Sequence, residues 1–172
     1  MRTRIPILMT CTAVAVLGTV PTITKAEEPN EKSFTVYPIG HVQRMKERIV
    51  IVLDKKYQGG LVGLEQWSHV QVIWWFDKND TPPKRSVLQV HPRGDKNNPL
   101  TGVFACRAPV RPNLIALTVC KIVSVKENMV EVDKIDAFEG TPILDLKPYA
   151  PGIDSASDVK VPNWAGPTGV PK

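Results

Sequence analysis

Proline interrupts this chain too often for it to fold into long helices. Its 172 residues include 16 prolines, most of them after Val87, and each proline removes a backbone donor and fixes φ. No segment shows a sustained 3.6-residue apolar period, and only residues 61–68 have the composition for one short helical turn. The apolar residues, 42% of the chain, are therefore expected to form the core of a single domain made mainly of β-strands.

Short apolar runs, many of them β-branched, predict where those strands lie. They are separated by turn-forming segments such as Gly59-Gly60 and the loop over residues 77–85. Strands of this length and spacing predict an all-β fold, a barrel or a sandwich, with few short helices. From residue 147 onward Pro and Gly recur, which predicts a loop-like C-terminal tail whose Trp164 packs back on the domain. The predicted strands cover residues 34–42, 48–53, 70–76, 86–90, 102–106, 114–125 and 128–135.

The N-terminal end has the pattern of a secretory signal peptide. Arg2 and Arg4 precede an apolar run over residues 5–20, and Thr24-Lys25-Ala26 places small residues at the −3 and −1 positions of a cleavage site. On this basis we divide the chain into a signal peptide (1–26), a linker (27–33), a folded domain (34–165) and a C-terminal tail (166–172).

A cleaved signal peptide predicts export of the domain to the periplasm or out of the cell. An uncleaved signal would instead anchor the protein in the membrane, and a miscalled start site would leave it in the cytoplasm. Cleavage would remove Arg2, Arg4 and Lys25, and it would lower the formal net charge from +5 to +2, with 19 basic and 17 acidic residues remaining. Such a small charge gives little of the long-range field on which nonspecific nucleic-acid binding relies.

Motif searches argue against several classes of enzyme. His41, His69 and His91 are scattered, and no CxxC or HExxH occurs, so no metal site is predicted. The absence of GxSxG, Walker and GxGxxG patterns argues against a serine hydrolase, a P-loop enzyme and a Rossmann enzyme. Two cysteines in strand-like runs, Cys106 and Cys120, could pair in an oxidising compartment or could be buried free thiols.

The segment over residues 88–120 carries an unusual density of arginine. Arg93, Arg107 and Arg111 lie with Asn113 between apolar runs, and guanidinium groups beside buried strands are costly unless an anionic group meets them. Prolines on either side of Arg111 stiffen the loop, which suits bidentate contact with a carboxylate or a phosphate.

Two interpretations of these arginines stay open. In the first, they form a binding wall, and Arg107 is the residue for which we favour this role. In the second, Arg107 and Arg111 form ion pairs with Asp95, Asp136 or Asp145 and only fasten the loop; for Arg111 both interpretations carry equal weight.

The turn Glu139-Gly140-Thr141-Pro142 is a second candidate for binding. It combines backbone donors with one carboxylate, which can hold ribose hydroxyls or an ammonium group. Taken alone, these four residues are better explained as a simple tight turn.

Three segments together resemble the TsaA-like family (TrmO, formerly YaeB): GLVGLEQWSHVQVIWWFDKND, VHPRGDKNNPLTGVFACRAPVRPNLIALTV and DAFEGTPILDLKPYAPGIDS. The resemblance covers residues 37–164. It implies a small β-barrel that dimerises. It also implies an S-adenosylmethionine-dependent methyltransferase that acts on N6 of threonylcarbamoyladenosine beside the tRNA anticodon.

The resemblance further implies which residues bind. Methyl transfer from a sulfonium needs mainly alignment of donor and acceptor, so no catalytic acid or base is assigned. The implied cofactor-binding residues are Asp77, Lys78, Arg107, Leu117, Glu139, Gly140, Thr141 and Pro142, and the implied supporting residues are His91, Arg93, Arg111, Asn113 and Asp145.

This sequence departs from the family at four positions in the implied site. The family usually has His where this chain has Asp77, Asp where it has Glu139, and RPNPIGL where it has RPNLIAL, which introduces Leu114 and Ala116. Asp77 adds negative charge, and Ala116 adds a methyl group where the backbone could approach a ligand. The alternative to a methyltransferase is therefore an exported, non-catalytic barrel that binds a small anionic or zwitterionic ligand.

Overall fold

Six antiparallel strands close into a barrel in the computed structural model, which describes residues 33–165. The order around the barrel is β1-β2-β7-β6-β3-β8, and β8 pairs with β1 to close it. Its strands are β1 (Gly40–Met45), β2 (Arg48–Leu53), β3 (His69–Trp75), β6 (Ile115–Lys126), β7 (Met129–Val132) and β8 (Pro142–Pro148); a separate ribbon pairs β4 (Gln89–Val90) with β5 (Thr101–Gly102).

Alternation of side chains along each strand fills the barrel interior. In β3, Val70, Val72 and Trp74 are buried while the residues between them are half-buried, as the two-residue period of a strand requires. β6 contributes Ala116 and Cys120 to the same core, and β8 contributes Ile143. The core is therefore formed by inward-facing residues of strands that are distant in sequence.

Gly40 allows β1 and β2 to approach closely. A Cβ atom on Gly40 would lie 2.2 Å from the Val52 carbonyl oxygen and 2.7 Å from the Leu53 Cα. Both contacts are with backbone, which cannot rotate away as a flexible side chain can. Glycine is therefore the residue that fits at this position.

The prediction of an all-β barrel with few short helices is confirmed, and the boundary of β2 is as predicted. The helical segments are two four-residue α turns, α1 (Pro82–Arg85) and α2 (Pro151–Asp154), and short 3₁₀ turns that include Lys55–Leu61 and Leu64–Gln66. Trp164 lies in the 3₁₀ turn Asn163–Ala165 and is half-buried.

Four strand predictions were wrong in their extent, and one strand was missed. The predicted strands 86–90 and 128–135 are shorter in the structure, at Gln89–Val90 and Met129–Val132. The first barrel strand begins at Gly40, not at residue 34, and the run over residues 102–106 turns into a 3₁₀ turn at Val103–Ala105. The strand Pro142–Pro148 was missed altogether, because a proline at each end made the segment resemble a loop. Proline is tolerated at strand ends, where no ladder donor is needed.

The signal peptide and the tail over residues 166–172 lie outside the described residues. Within residues 33–165, no helix combines the length and the apolar character needed to cross a membrane. The same range contains no group of three or more His, Cys, Asp or Glu side chains placed to hold a metal ion.

The two cysteines of the domain are free thiols in the structure. Cys120 is fully buried in the barrel, and burial, together with the nearby Asp133 carboxylate, raises the pKa of its thiol to about 12. Cys106 lies in a loop and is half-buried, with its Sγ 3.6 Å from the Gly102 carbonyl oxygen.

These environments predict that the two thiols react at very different rates. In a Cys11→Ser variant at pH 8, we expect Cys106 to react with a thiol reagent in the folded protein. Cys120 is expected to react only after unfolding, since the thiolate is the nucleophile and burial disfavours it. The number of labelled thiols, counted by mass spectrometry before and after unfolding, checks this prediction. If neither cysteine is labelled until a reductant is added, the two form a disulfide instead.

Candidate functional site

One group of candidate residues gathers where β3 ends and β8 begins. The Thr141 hydroxyl lies 3.5 Å from Asp77 Oδ1, and Lys78 Nζ lies 3.2 Å from Asp77 Oδ2. The Phe76 N–H donates to the Leu114 carbonyl at 2.8 Å, which fixes the start of this loop against β6. The fold thus brings Asp77 and Lys78 next to the Glu139–Pro142 turn, although 64 residues separate Asp77 from Thr141.

The Glu139–Pro142 turn is anchored to β1. Gly140 adopts φ +74°, a left-handed conformation that favours glycine, and its N–H donates to the Val42 carbonyl at 2.8 Å. A Glu139 carboxylate oxygen accepts the backbone N–H of Arg44. The Arg44 guanidinium in turn donates to the carbonyls of Ile135 and Ala137. The turn is therefore held in one conformation before any ligand arrives.

A second group surrounds Arg107 on the outer side of β6. The Arg107 guanidinium donates from Nη1 to the Leu117 carbonyl at 3.2 Å, and the side chain is otherwise exposed. It lines a cavity of about 1170 Å³ that Trp74 and Phe76 also line; we call this the aromatic cavity. The two rings meet edge to face, with centroids 4.7 Å apart, and Trp74 Nε1 donates to the Thr118 hydroxyl.

The residues that line the aromatic cavity include both positively and negatively charged side chains. Arg93, Arg107, Arg111 and Lys134 provide positive charge, and Asp136 provides a carboxylate. An amino-acid zwitterion needs both signs, and a planar heterocycle needs apolar or aromatic surface. The aromatic cavity offers all three.

Arg111 fastens its loop, but not by the ion pair considered from sequence. Its Nη2 donates to the Val103 carbonyl at 2.8 Å. Among residues 33–165, neither Arg107 nor Arg111 has a carboxylate within 4.0 Å, and Asp145 instead pairs with Lys147 at 2.8 Å on β8. A backbone carbonyl therefore serves as the fastening partner for Arg111.

The loop that follows β3 is held by a separate cluster. Arg85 and the Trp75 indole both donate to the Asp80 carboxylate, and these hydrogen bonds lower the pKa of Asp80. Arg85 also donates to the Pro112 carbonyl at 3.0 Å. The cluster thus ties the loop after β3 to the segment that carries Arg111.

The remaining supporting residues are spread along the Arg107 side of the barrel. His91 Nδ1 lies 2.7 Å from the Asn98 carbonyl oxygen, and Arg93 Nη2 donates to the Ala165 carbonyl at 2.9 Å. Asn113 is exposed, and its carbonyl accepts the Ile115 N–H. Asp145 lies on β8 and lines neither the aromatic cavity nor the cavity around His91.

Most of the predicted residues therefore form two neighbouring groups rather than one pocket, and Asn113 and Asp145 line neither cavity. Asp77, Lys78 and the Glu139–Pro142 turn do not line the aromatic cavity, whereas Phe76 and Ala116 do. The aromatic cluster at the end of β3 stands out in the sequence, but it was not among the predicted site residues. Its position immediately before Asp77 in the sequence is the feature that could have indicated its place in the site.

Comparisons with known proteins find similar sequences and structures within one family. The model of the tRNA-methyltransferase O N-terminal domain matches residues 30–155. A protein of Methanocaldococcus jannaschii named "Probable S-adenosyl-L-methionine-binding protein" is 44% identical over 117 residues, which cover 68% of this chain and 93% of that protein.

Similarity extends to a mammalian enzyme and to solved structures. The Mus musculus tRNA (adenine(37)-N6)-methyltransferase is 41% identical over 103 residues, which cover 60% of this chain but only 23% of the enzyme. The crystal structure of TrmO from Pseudomonas aeruginosa superposes with a TM-score of 0.59 at 27% identity, covering 75% of this chain. The chain spans 62% of that solved structure.

Proposed function

Because the chain belongs to the tRNA-methyltransferase O family, whose N-terminal domain matches residues 30–155, we propose that it binds S-adenosylmethionine and acts as a methyltransferase. The observation that carries this proposal is the exposed Arg107 guanidinium, held on the Leu117 carbonyl beside the two aromatic rings of the aromatic cavity. Relatives named as S-adenosylmethionine-binding proteins support the choice of cofactor.

The residues present fit this cofactor. Arg107 would hold the carboxylate of the methionine part through a bidentate contact, and Asp136 would face its ammonium group. Trp74 and Phe76, which line the aromatic cavity, would cover the adenine. For the ribose hydroxyls we propose the Asp77 carboxylate, which lies 3.5 Å from the buried Thr141 hydroxyl. When bound, S-adenosylmethionine supplies a methyl group on a sulfonium; the protein's task is to hold donor and acceptor in line and to exclude water.

For the methyl acceptor we propose a tRNA adenine, with threonylcarbamoyladenosine as the specific form. Mammalian relatives are named as methyltransferases of tRNA adenine 37, and this supports the class of acceptor. The test is a methylation assay with tRNA that carries or lacks the threonylcarbamoyl group. Methylation of both, or of neither, would contradict the specific acceptor.

A second candidate function is an exported binding protein without methyl transfer. The signal-peptide pattern over residues 1–26 favours it, together with Asp77 and Glu139 at positions where the family has other residues. We propose export to the periplasm or the medium. A mature protein that begins after Ala26 would support export, whereas an intact Met1 in the soluble cytoplasmic fraction would contradict it.

Calorimetric titration of S-adenosylmethionine into protein that begins at Glu27 separates the two functions. Binding with a Kd in the micromolar range, about −8 kcal/mol, supports the methyltransferase. A folded sample that shows no heat of binding would overturn the proposed cofactor and leave the exported binding barrel.

We also propose that the protein forms a homodimer through the outer face of β6. Ile115, Leu117, Val119 and Val123 point outward and are 44%, 41%, 40% and 56% exposed, and Phe104 nearby in sequence is 80% exposed. Exposed Lys121 separates Val119 from Val123, and Phe104, Ile115, Leu117 and Val119 also line the aromatic cavity, so this dimer would form over that cavity. Exposed apolar side chains grouped on one strand are typical of an interaction surface.

Replacing Val123 with lysine is expected to dissociate this dimer. A lysine at the interface buries an unpaired charge, so the dimer Kd should rise at least about tenfold. Light scattering after size-exclusion chromatography measures the change. Val62→Lys, at a valine that is 88% exposed outside β6, is the matched control; a wild-type protein that is monomeric at high concentration would contradict the proposal.

A further inference from the structure

A second cavity lies beside the aromatic cavity and has a different chemical character. Its volume is about 950 Å³, and residues of three segments line it: 90–94 with 96, 105–110, and 161, 162, 164 and 165. We call it the tail-walled cavity, because Val161, Pro162, Trp164 and Ala165 form one of its sides. A volume of this size is typical of a site for a small organic molecule.

The charged residues that line the tail-walled cavity are all basic. They are Arg93, Lys96 and Arg107, and no Asp or Glu is among the lining residues. The other side chains are mainly apolar, with the Trp164 indole as the largest flat surface. In contrast to the aromatic cavity, which also contains Asp136, this cavity does not provide a partner for an ammonium group.

The wall formed by the tail lies outside the residues that the family model matches. That match ends at residue 155, and the wall is formed by residues between 161 and 165. Arg93 fixes this wall by donating to the Ala165 carbonyl at 2.9 Å. Since a guanidinium has five N–H donors, this bond leaves donors of Arg93 for a ligand.

From these observations we propose that the tail-walled cavity binds a small organic anion with an apolar, ring-bearing body. The acidic group would be met by Arg93 and Lys96, and the ring would pack on Trp164 and the neighbouring prolines and valines. Charge complementarity selects the anion, because a neutral ligand would leave the basic groups uncompensated and a cation would be repelled.

The two cavities share a boundary at Arg93, Cys106, Arg107 and Pro109. A ligand of the tail-walled cavity would therefore lie next to a molecule in the aromatic cavity. The inference does not depend on the proposed function, since binding of the anion can be measured without S-adenosylmethionine.

Fluorescence titration of the full chain with 8-anilinonaphthalene-1-sulfonate tests the proposal. This probe joins two aromatic groups to one sulfonate and becomes fluorescent in apolar surroundings. N-phenyl-1-naphthylamine, which has the same rings without the sulfonate, is the matched uncharged probe. We expect the anionic probe to bind at least about tenfold more tightly, because only its sulfonate can meet the basic groups.

Two substitutions test whether the anionic probe binds in the tail-walled cavity. Trp164→Ala is expected to weaken binding of the anionic probe about tenfold, and Lys96→Gln about fivefold. Lys96 is exposed, so its substitution leaves the fold intact. Lys134→Gln is the matched control, since Lys134 lines only the aromatic cavity, and it should leave the affinity unchanged.

Three outcomes would overturn the proposal. The first is equal affinity for the anionic and the uncharged probe. The second is unchanged affinity in both Trp164→Ala and Lys96→Gln, and the third is a loss of affinity in Lys134→Gln that matches the loss in Lys96→Gln. A melting temperature measured for each variant shows that the differences come from folded protein.

Discussion

Replacing Arg107 with alanine is expected to lower the affinity for S-adenosylmethionine at least about hundredfold, which corresponds to about 3 kcal/mol. The guanidinium is exposed and makes one hydrogen bond within the described residues, to the Leu117 carbonyl. Its other donors are therefore free to hold the carboxylate of the methionine part. Because the side chain contributes little to packing, the melting temperature should move by no more than about 2 °C.

The Arg107→Lys variant provides the matched control. Lysine keeps the positive charge but loses the planar fork that meets both carboxylate oxygens, so its affinity should fall between that of the wild type and that of Arg107→Ala. Calorimetric titration measures all three proteins under one condition. Equal affinity of wild type and Arg107→Ala would show that the cofactor binds elsewhere or does not bind.

Gly40→Ala is expected to have the largest effect on stability of the substitutions considered, with a loss of about 3 kcal/mol or more in the free energy of unfolding. The added Cβ would lie 2.2 Å from the Val52 carbonyl oxygen and 2.7 Å from the Leu53 Cα. To relieve this steric clash, β1 and β2 must separate at the pair Gly40–Leu53. This pair lies next to the junction where β1 meets β8. The closure of the barrel is thus weakened together with the local pair.

Urea unfolding followed by far-ultraviolet circular dichroism measures this loss. Gly59→Ala is the control, because a Cβ at Gly59 meets no atom within 4 Å, and we expect a change within about 1 kcal/mol of the wild type. A Gly40→Ala protein as stable as Gly59→Ala would mean that the two strands can move apart at little cost.

The residue types along each segment predicted the existence of the strands better than the residues at which they begin and end. Arg48–Leu53 is a β-branched run with a clear turn after it, and its boundaries were predicted correctly. Residues 102–106 are equally apolar, but Val103 turns inward to a buried position beside a 3₁₀ turn, and this depends on contacts distant in sequence. Pro142–Pro148 was missed because its pairing with β3 and β1 outweighs the local preference for a loop.

In the candidate site, too, the sequence predicted individual residues better than it predicted which of them lie together. The resemblance implied that Arg107 and Leu117 both bind the cofactor, which stays a prediction; the structure joins the Arg107 guanidinium to the Leu117 carbonyl by a hydrogen bond. Neither composition nor spacing could place Trp74 in the wall of the same cavity, or separate Asp145 from it. Those relations follow from the order in which strands meet around the barrel, which no local pattern encodes.

Closure of the barrel also determines how copies of this protein can aggregate. Each of the six barrel strands has a partner on both sides, which leaves fewer open backbone donors and acceptors than an open sheet would. The pairing is nevertheless partial: β6 pairs with β3 over residues 115–121 and with β7 over residues 122–126. The β1–β8 junction, whose register contains two residue pairs, is the shortest pairing in the barrel, so opening of the barrel to another chain is expected to begin there.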